Sequence, residues 1–208
     1  MNKSLLVSTL LFVGSAMTAA TAAPQAFDFT DPKGVNAIQF KLDSLLEPIS
    51  GTASGVSGKV HYNPENPTET TGKIVVATQS ALVSNAVMTE HMLGEQWLDA
   101  ANNPEIVFEL TSLSNTQTEG NNTTATATGK LTLKGITREI SVPVRLSYLP
   151  GAFGKRINKP EVPGDLLVIR GEFSIARADF GIMPGQHEDK VNPEIALSLA
   201  IVGSPAQD

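Results

Sequence analysis

The stretch that decides the fold is "GKLTLKGITREISVPVRL", residues 129–146. Leu131 and Leu133 alternate with polar residues before Gly135, and Ile140, Val142, Val144 and Leu146 alternate after it. A two-residue apolar period on both sides of a glycine turn is the pattern of an antiparallel hairpin with one greasy and one wet face. The question it raises is whether the greasy face packs against itself or walls a hole.

The same period recurs along the chain. Ile38, Phe40 and Leu42 share a face, as do Val56, Val60 and Tyr62 across Gly58. After the polar turn "NPENPTETTG" (63–72) come Ile74, Val76 and Thr78, and after Pro104 come Ile106, Phe108 and Leu110. A hairpin turn is expected at 119–122, where Gly and Asn tolerate left-handed backbone. Leu167, Ile169, Phe173 and Ile175 follow, then Ile195, Leu197, Leu199 and Ile201. One stretch breaks the pattern: "SNAVMTEHMLGEQWLDAANNP" has helix formers, with Ser84 as N-cap and Gly94 as stop. It predicts a short helix and loop crossing one end of the sheet. The Gly- and Pro-rich connection 149–165 reads as a flap.

About eight antiparallel strands can close into a barrel or split into a sandwich. Closure at that number leaves an interior either filled by side chains or wide enough for one small ligand. Ala125, Ala127 and Gly129 share a face with Leu131 and Leu133, and such small residues fit either a hole or the relief of crowding in a curved sheet.

The first 22 residues are expected to be a secretory leader. Lys3 gives a positive start, Leu5 to Val13 an apolar run too short to span a membrane, and Ala20 to Ala22 a small-residue cleavage site. Residues 23–208 then form one domain, exported to a bacterial periplasm, with no stable membrane span. The chain contains no cysteine, so it relies on packing, with 41% hydrophobic residues to build a core. A net charge of −6 argues against nucleic acid as a partner, which needs basic patches.

Catalytic and metal signatures are missing. Ser54 and Ser57 lie in "GTASGVSGK", whose glycine spacing fits neither a nucleophile elbow nor a phosphate loop. His61, His91 and His187 are scattered, so no metal and no cofactor are expected, and His61 reads as solvent-facing beside Lys59. His91 can cap a barrel mouth and meet a ligand, or simply dock the helix. Trp97 reads as a core plug under the helix or as a ligand contact. Arg177 and Asp179, taken as one strand face, read as a salt bridge, with a headgroup contact by Arg177 as the alternative.

Three phrases in order, "EHMLGEQWLDAANNPEIVF", "GKLTLKGITREISVPVRL" and "IARADFGI", make the mature chain resemble the YceI family of lipocalin-like periplasmic proteins that bind polyisoprenoids. The resemblance implies a single all-β antiparallel barrel whose apolar tunnel takes a lipid tail. Two positions depart from it: Asp43–Ser44 stand where relatives often carry a His, and Met88–Thr89 where they often carry Arg-Asp. The expected activity is non-enzymatic holding of an isoprenoid-like or fatty amphiphile, as a carrier or by sequestration. The expected ligand-binding residues are Ile38, Phe40, Leu42, Ile74, Val76, His91, Trp97, Phe108, Leu131, Leu133, Ile140, Val142, Phe173, Ile175 and Arg177. The rival readings are an envelope stress or interaction protein with a packed β core, and a lipid-modifying enzyme. A homodimer is compatible with the sequence.

Overall fold

The structure is a computed structural model and describes residues 23–206; the leader expected over residues 1–22 lies outside them. Alternating side chains form eleven strands: β1 (Gln25–Asp28), β2 (Ala37–Asp43), β3 (Pro48–Ala53), β4 (Val56–Tyr62), β5 (Thr71–Ala77), β6 (Ala81–Val83), β7 (Glu105–Glu119), β8 (Asn122–Leu133), β9 (Ile136–Leu149), β10 (Leu166–Ala176) and β11 (Glu194–Pro205). Two short helices join them, α1 (Ala86–Leu93) and α2 (Phe153–Arg156).

Eight of these strands close an antiparallel barrel in the order β1-β4-β5-β7-β8-β9-β10-β11, and Phe27 opposite Pro205 seals β1 to β11. The deciding hairpin is β8–β9. Lys134 and Gly135 both have positive φ, 50° and 72°, between the paired Leu133 and Ile136. That two-residue left-handed turn matches the natural twist of paired strands. The expected 119–122 turn is also in place, with Glu119 opposite Asn122.

The remaining three strands continue the barrel past a bend. β11 pairs first with β2 and then with β1 on the same side, β3 pairs with β2 as β4 pairs with β1, and β6 extends beyond β5. At the β1–β2 break, the buried Asn36 side chain donates to the Phe29 and Val202 carbonyls and accepts from the Val202 amide at 2.8–3.0 Å. A side-chain amide thus replaces the missing stretch of ladder, where an unpaired buried backbone group is costly.

At the β6 end the ring does not close by strands. β7 pairs with β5 and β8, whereas β6 pairs only with β3. The seam between β6 and β7 is covered by α1 and the loop 94–104, held by Thr78, which donates from its amide and hydroxyl to the Pro104 and Asn103 carbonyls. The helix is capped by Asn85, one residue later than expected, through its side chain accepting from the Met88 amide. Thr89 Oγ1 bonds both backbone groups of Val83, occupying the free edge of β6.

The connection 149–165 is not a free flap. Asp165 accepts from Tyr148 Oη (2.6 Å), the Gly151 amide (2.8 Å) and Gln25 Nε2 (3.0 Å), and Arg156 pairs with Asp31 at 2.7 Å. These contacts fasten it over the barrel end opposite α1.

Candidate functional site

Inward-facing side chains of the barrel do not fill it. They enclose a cavity of about 260 Å³ whose walls are almost wholly hydrocarbon. β2 contributes Ile38, Phe40 and Leu42; β5 contributes Ile74 and Val76; β7 contributes Phe108. Leu131 and Leu133 come from β8, Ile140 and Val142 from β9, and Phe173 and Ile175 from β10. Every strand residue expected on the wall therefore faces this space. Many of them, including Ile38, Phe40, Ile74, Phe108, Ile140 and Phe173, are only partly buried although they point inward. The outer faces are the reverse: Thr124, Lys130, Glu139 and Arg145 point outward and are exposed. Apolar inside and polar outside is the opposite of a barrel built to sit in a bilayer.

Two glycines make room for wall rings. A Cβ on Gly129 would lie 2.6 Å from the Phe108 ring, and one on Gly51 would lie 2.2 Å from the Phe40 ring. Each phenyl ring therefore lies against a bare backbone on the neighbouring strand and occupies the wall, as aromatic rings commonly cover strand glycines. Ala53, Ala81 and Ala127 add further short wall positions. Of the small residues noted in the sequence, Ala127 borders the free space, whereas Ala125 is buried core and Gly129 makes room for the Phe108 ring.

The lumen has unlike ends. Toward the 149–165 connection it stops at Phe27, Tyr62 and Leu167, all fully buried, with Tyr62 Oη bonded to Thr123 Oγ1 at 3.1 Å. Toward α1 it is bounded by Leu42, Met92, Trp97, Leu98, Ile182 and Ile195, and α1 itself contains no buried residue. Met92, Leu98 and Ile182 were not expected on the wall. They lie outside the strands, where two-residue periodicity carries no signal; their only cue was the apolar character of the helix, loop and turn that hold them.

At this same end the three motif phrases meet. Lys134 Nζ donates to the carbonyls of Gln96 (2.9 Å) and Gly181 (3.3 Å), and the Arg177 guanidinium sits 5.9 Å from the centre of the Trp97 ring. Arg177 is not on a strand face with Asp179: both lie in the 3-10 turn Arg177–Phe180 that follows β10. Nor do they pair, since Asp179 is exposed and Arg177 is 1% exposed. Arg177 Nε donates to Asn192, Nη1 to Ile182 and Met183, and Nη2 to Gln186 and Val191, all backbone carbonyls. A guanidinium has five N–H donors, and all five are used here. Burial pulls its pKa below the ordinary arginine value while the Glu188 charge pulls the other way. Arg177 is thus the internal post around which the loop 181–193 is wound, with no donor left for a headgroup.

Trp97 lines the lumen from beneath this cation, so it is both wall and packing. His91 is exposed on α1 and is not among the wall residues. His61 and His187 are exposed as well, and among the described residues no group of three or more acidic or histidine side chains is placed to hold a metal ion. A second groove, about 830 Å³, runs along the outside over Thr52, Ser174 and Ser198; it is broad, partly polar and separate from the lumen.

Comparison with known proteins agrees with this architecture. The YceI-like domain matches residues 30–203. The "UPF0312 protein" of Pseudomonas fluorescens is 30% identical over 192 residues, covering 91% of this chain and 93% of its own. BcnA of Burkholderia cenocepacia superposes with a TM-score of 0.66 at 20% identity, over 80% of this chain and 95% of that one. A polyisoprenoid binding domain from Saccharophagus degradans, implicated in plant cell wall breakdown, superposes at 0.60 with 10% identity, over 89% of this chain and all of its own (100%). With the barrel, its motif-bearing end and a domain match spanning nearly all of the described residues, the chain belongs to the YceI-like family.

Proposed function

We propose that this chain is a non-enzymatic, exported lipid-binding protein that holds an isoprenoid-like or fatty amphiphile in its lumen, as a carrier or by sequestration. One observation carries the reading: inward-facing phenylalanines, leucines and isoleucines are left partly accessible around a hydrocarbon-walled cavity. Protein interiors normally close such space, because each unfilled void forfeits dispersion contacts. A tail restores them and removes its own methylenes from water at about 0.8 kcal/mol each. The wall offers almost no hydrogen-bonding partner, so selection would act on tail length and shape, with the polar end held near α1. The polyisoprenoid-binding relative of similar fold supports the same ligand class.

The test is native mass spectrometry of the protein purified from its own periplasm, followed by organic extraction. A reproducible amphiphile of defined mass is the expected result. Repeated preparations without any hydrophobic guest, together with no uptake of added farnesol or palmitate, would sink the proposal.

A further inference from the structure

Of the five large hydrophobic side chains exposed on the described surface, Val35 lies by the 149–165 connection and Leu82 on β6, while the other three, including the most exposed, gather at the α1 end of the barrel. Leu45 is 92% exposed, Leu46 59% and Val87 61%. Leu45 and Leu46 form the tip of the β2–β3 turn, and Leu42, three residues before, lines the lumen. Val87 lies in the first turn of α1. Because Gly51 pairs with Val83 and the two strands run antiparallel, the start of α1 falls level with the start of β3, beside that turn.

The turn is built to present these side chains. Ser44 Oγ donates to the Lys190 carbonyl and also bonds Glu47 (2.6–3.1 Å), the Leu46 amide donates to Asp189 (3.3 Å), and Asn192 Nδ2 donates to the Asp43 carbonyl (2.7 Å). The backbone is thereby fixed on the loop that Arg177 organises, while two leucines project into solvent. From these placements we infer that the β2–β3 turn, with Val87 beside it, is a membrane-contact element that inserts into the lipid surface so that an amphiphile can pass between bilayer and lumen.

The inference rests on the lipid-binding reading and adds where and how the lipid is acquired. Two convex leucines offer far less than the roughly 800 Å² per partner of a stable protein interface, but suit shallow, reversible insertion at the headgroup boundary. Their neighbours are charged in both signs with an acidic excess: Lys41 is paired with Asp43 at 2.7 Å, Glu47 follows in the turn, and Glu188, Asp189 and Lys190 lie in the loop to which the turn is hydrogen-bonded. Insertion is therefore driven by hydrocarbon, and neutral surfaces are preferred over anionic ones.

The full chain and its Leu45→Ser/Leu46→Ser variant are compared in two assays with a fluorescent farnesyl analogue. Loading from ethanol dispersion reports the lumen alone; extraction from vesicles reports the contact. The variant should load from dispersion like the parent yet extract from phosphatidylcholine vesicles about tenfold more slowly. The parent should extract more slowly from phosphatidylglycerol vesicles, a difference that shrinks in added salt. Equal extraction rates for parent and variant would overturn the inference and leave lipid binding standing. A dimer in light scattering that the double substitution converts to monomer would overturn it too, by assigning the patch to a second copy. Failure of the parent to load even from dispersion would instead remove the lipid-binding reading on which the inference rests.

Discussion

Arg177 places a charge inside the protein without an ion pair among the described residues, and its stabilisation comes from convergent peptide carbonyls. Such a group organises structure because removal leaves its acceptors buried and unmet. Arg177→Met should therefore cost about 3 kcal/mol in urea unfolding. It should leave unchanged the ratio of affinities for a fatty acid and its neutral alcohol; a changed ratio would restore a headgroup role. The second residue-scale device is Tyr148–Asp165. Burial would raise the Asp165 pKa, but hydrogen bonds from Tyr148, Gly151 and Gln25 outweigh it and hold the carboxyl below its usual range. Burial first, then the bond to Asp165, pushes Tyr148 up to about 12. The depressed carboxyl stabilises the fold above the unfolded value of about 3.9 and ceases to do so as pH falls through its folded value. The raised phenol stabilises fully below about pH 10 and loses its effect as pH climbs toward its folded value. Asp165→Asn should therefore be less stable than the parent at neutral pH, by about 1 kcal/mol, with the gap closing below about pH 4. A gap that persists undiminished in acid would remove Asp165 from this role.

At the scale of elements, β8 is the most readable strand and the best probe. Its short side chains leave space, so Ala127→Trp enters the lumen instead of colliding with a filled core. In a packed interior such a change costs about 1–3 kcal/mol. Here the expected cost is under about 1 kcal/mol, with loss of farnesyl-analogue loading, measured by urea unfolding and by fluorescence. Severe destabilisation with loading retained would mean that the lumen lies elsewhere. Long strands such as β8, β9 and β10 were legible because alternation persists over 11 residues or more. The three-residue β6 and the Pro- and Gly-containing β3 are too short or too broken to show a period, so the bend that divides the barrel was not legible. Nor was the fate of Arg177: its acceptors are carbonyls up to 15 residues away, and backbone groups leave no mark in a sequence. The motif phrases marked the family, while their meeting through Lys134, Gln96, Gly181 and Trp97 is a fact of three dimensions only.

For the whole molecule, the closed end and the loosely covered end imply that stability and occupancy are linked. The β8–β9 side is laddered along its whole length, whereas α1 buries no residue and touches the barrel through β6 and the half-buried Met92 and Leu93. Regions with little buried surface open at low free energy, so α1 amides should exchange with deuterium well before those of β8 and β9. A ligand that fits only the folded lumen adds RT ln(1 + [L]/Kd) to stability, about 2.7 kcal/mol at a hundredfold excess over Kd. Delipidated protein titrated with farnesol should therefore show a melting temperature that rises with ligand concentration. Protection should be gained first in α1 and the 94–104 loop, because these cover the loosely packed end of the lumen. The Ala127→Trp protein should show neither the rise nor the added protection. Slowed exchange confined to the outer groove of β2, β3 and β10, with α1 unchanged, would place the binding surface on the outside of the barrel and reverse the assignment of the lumen.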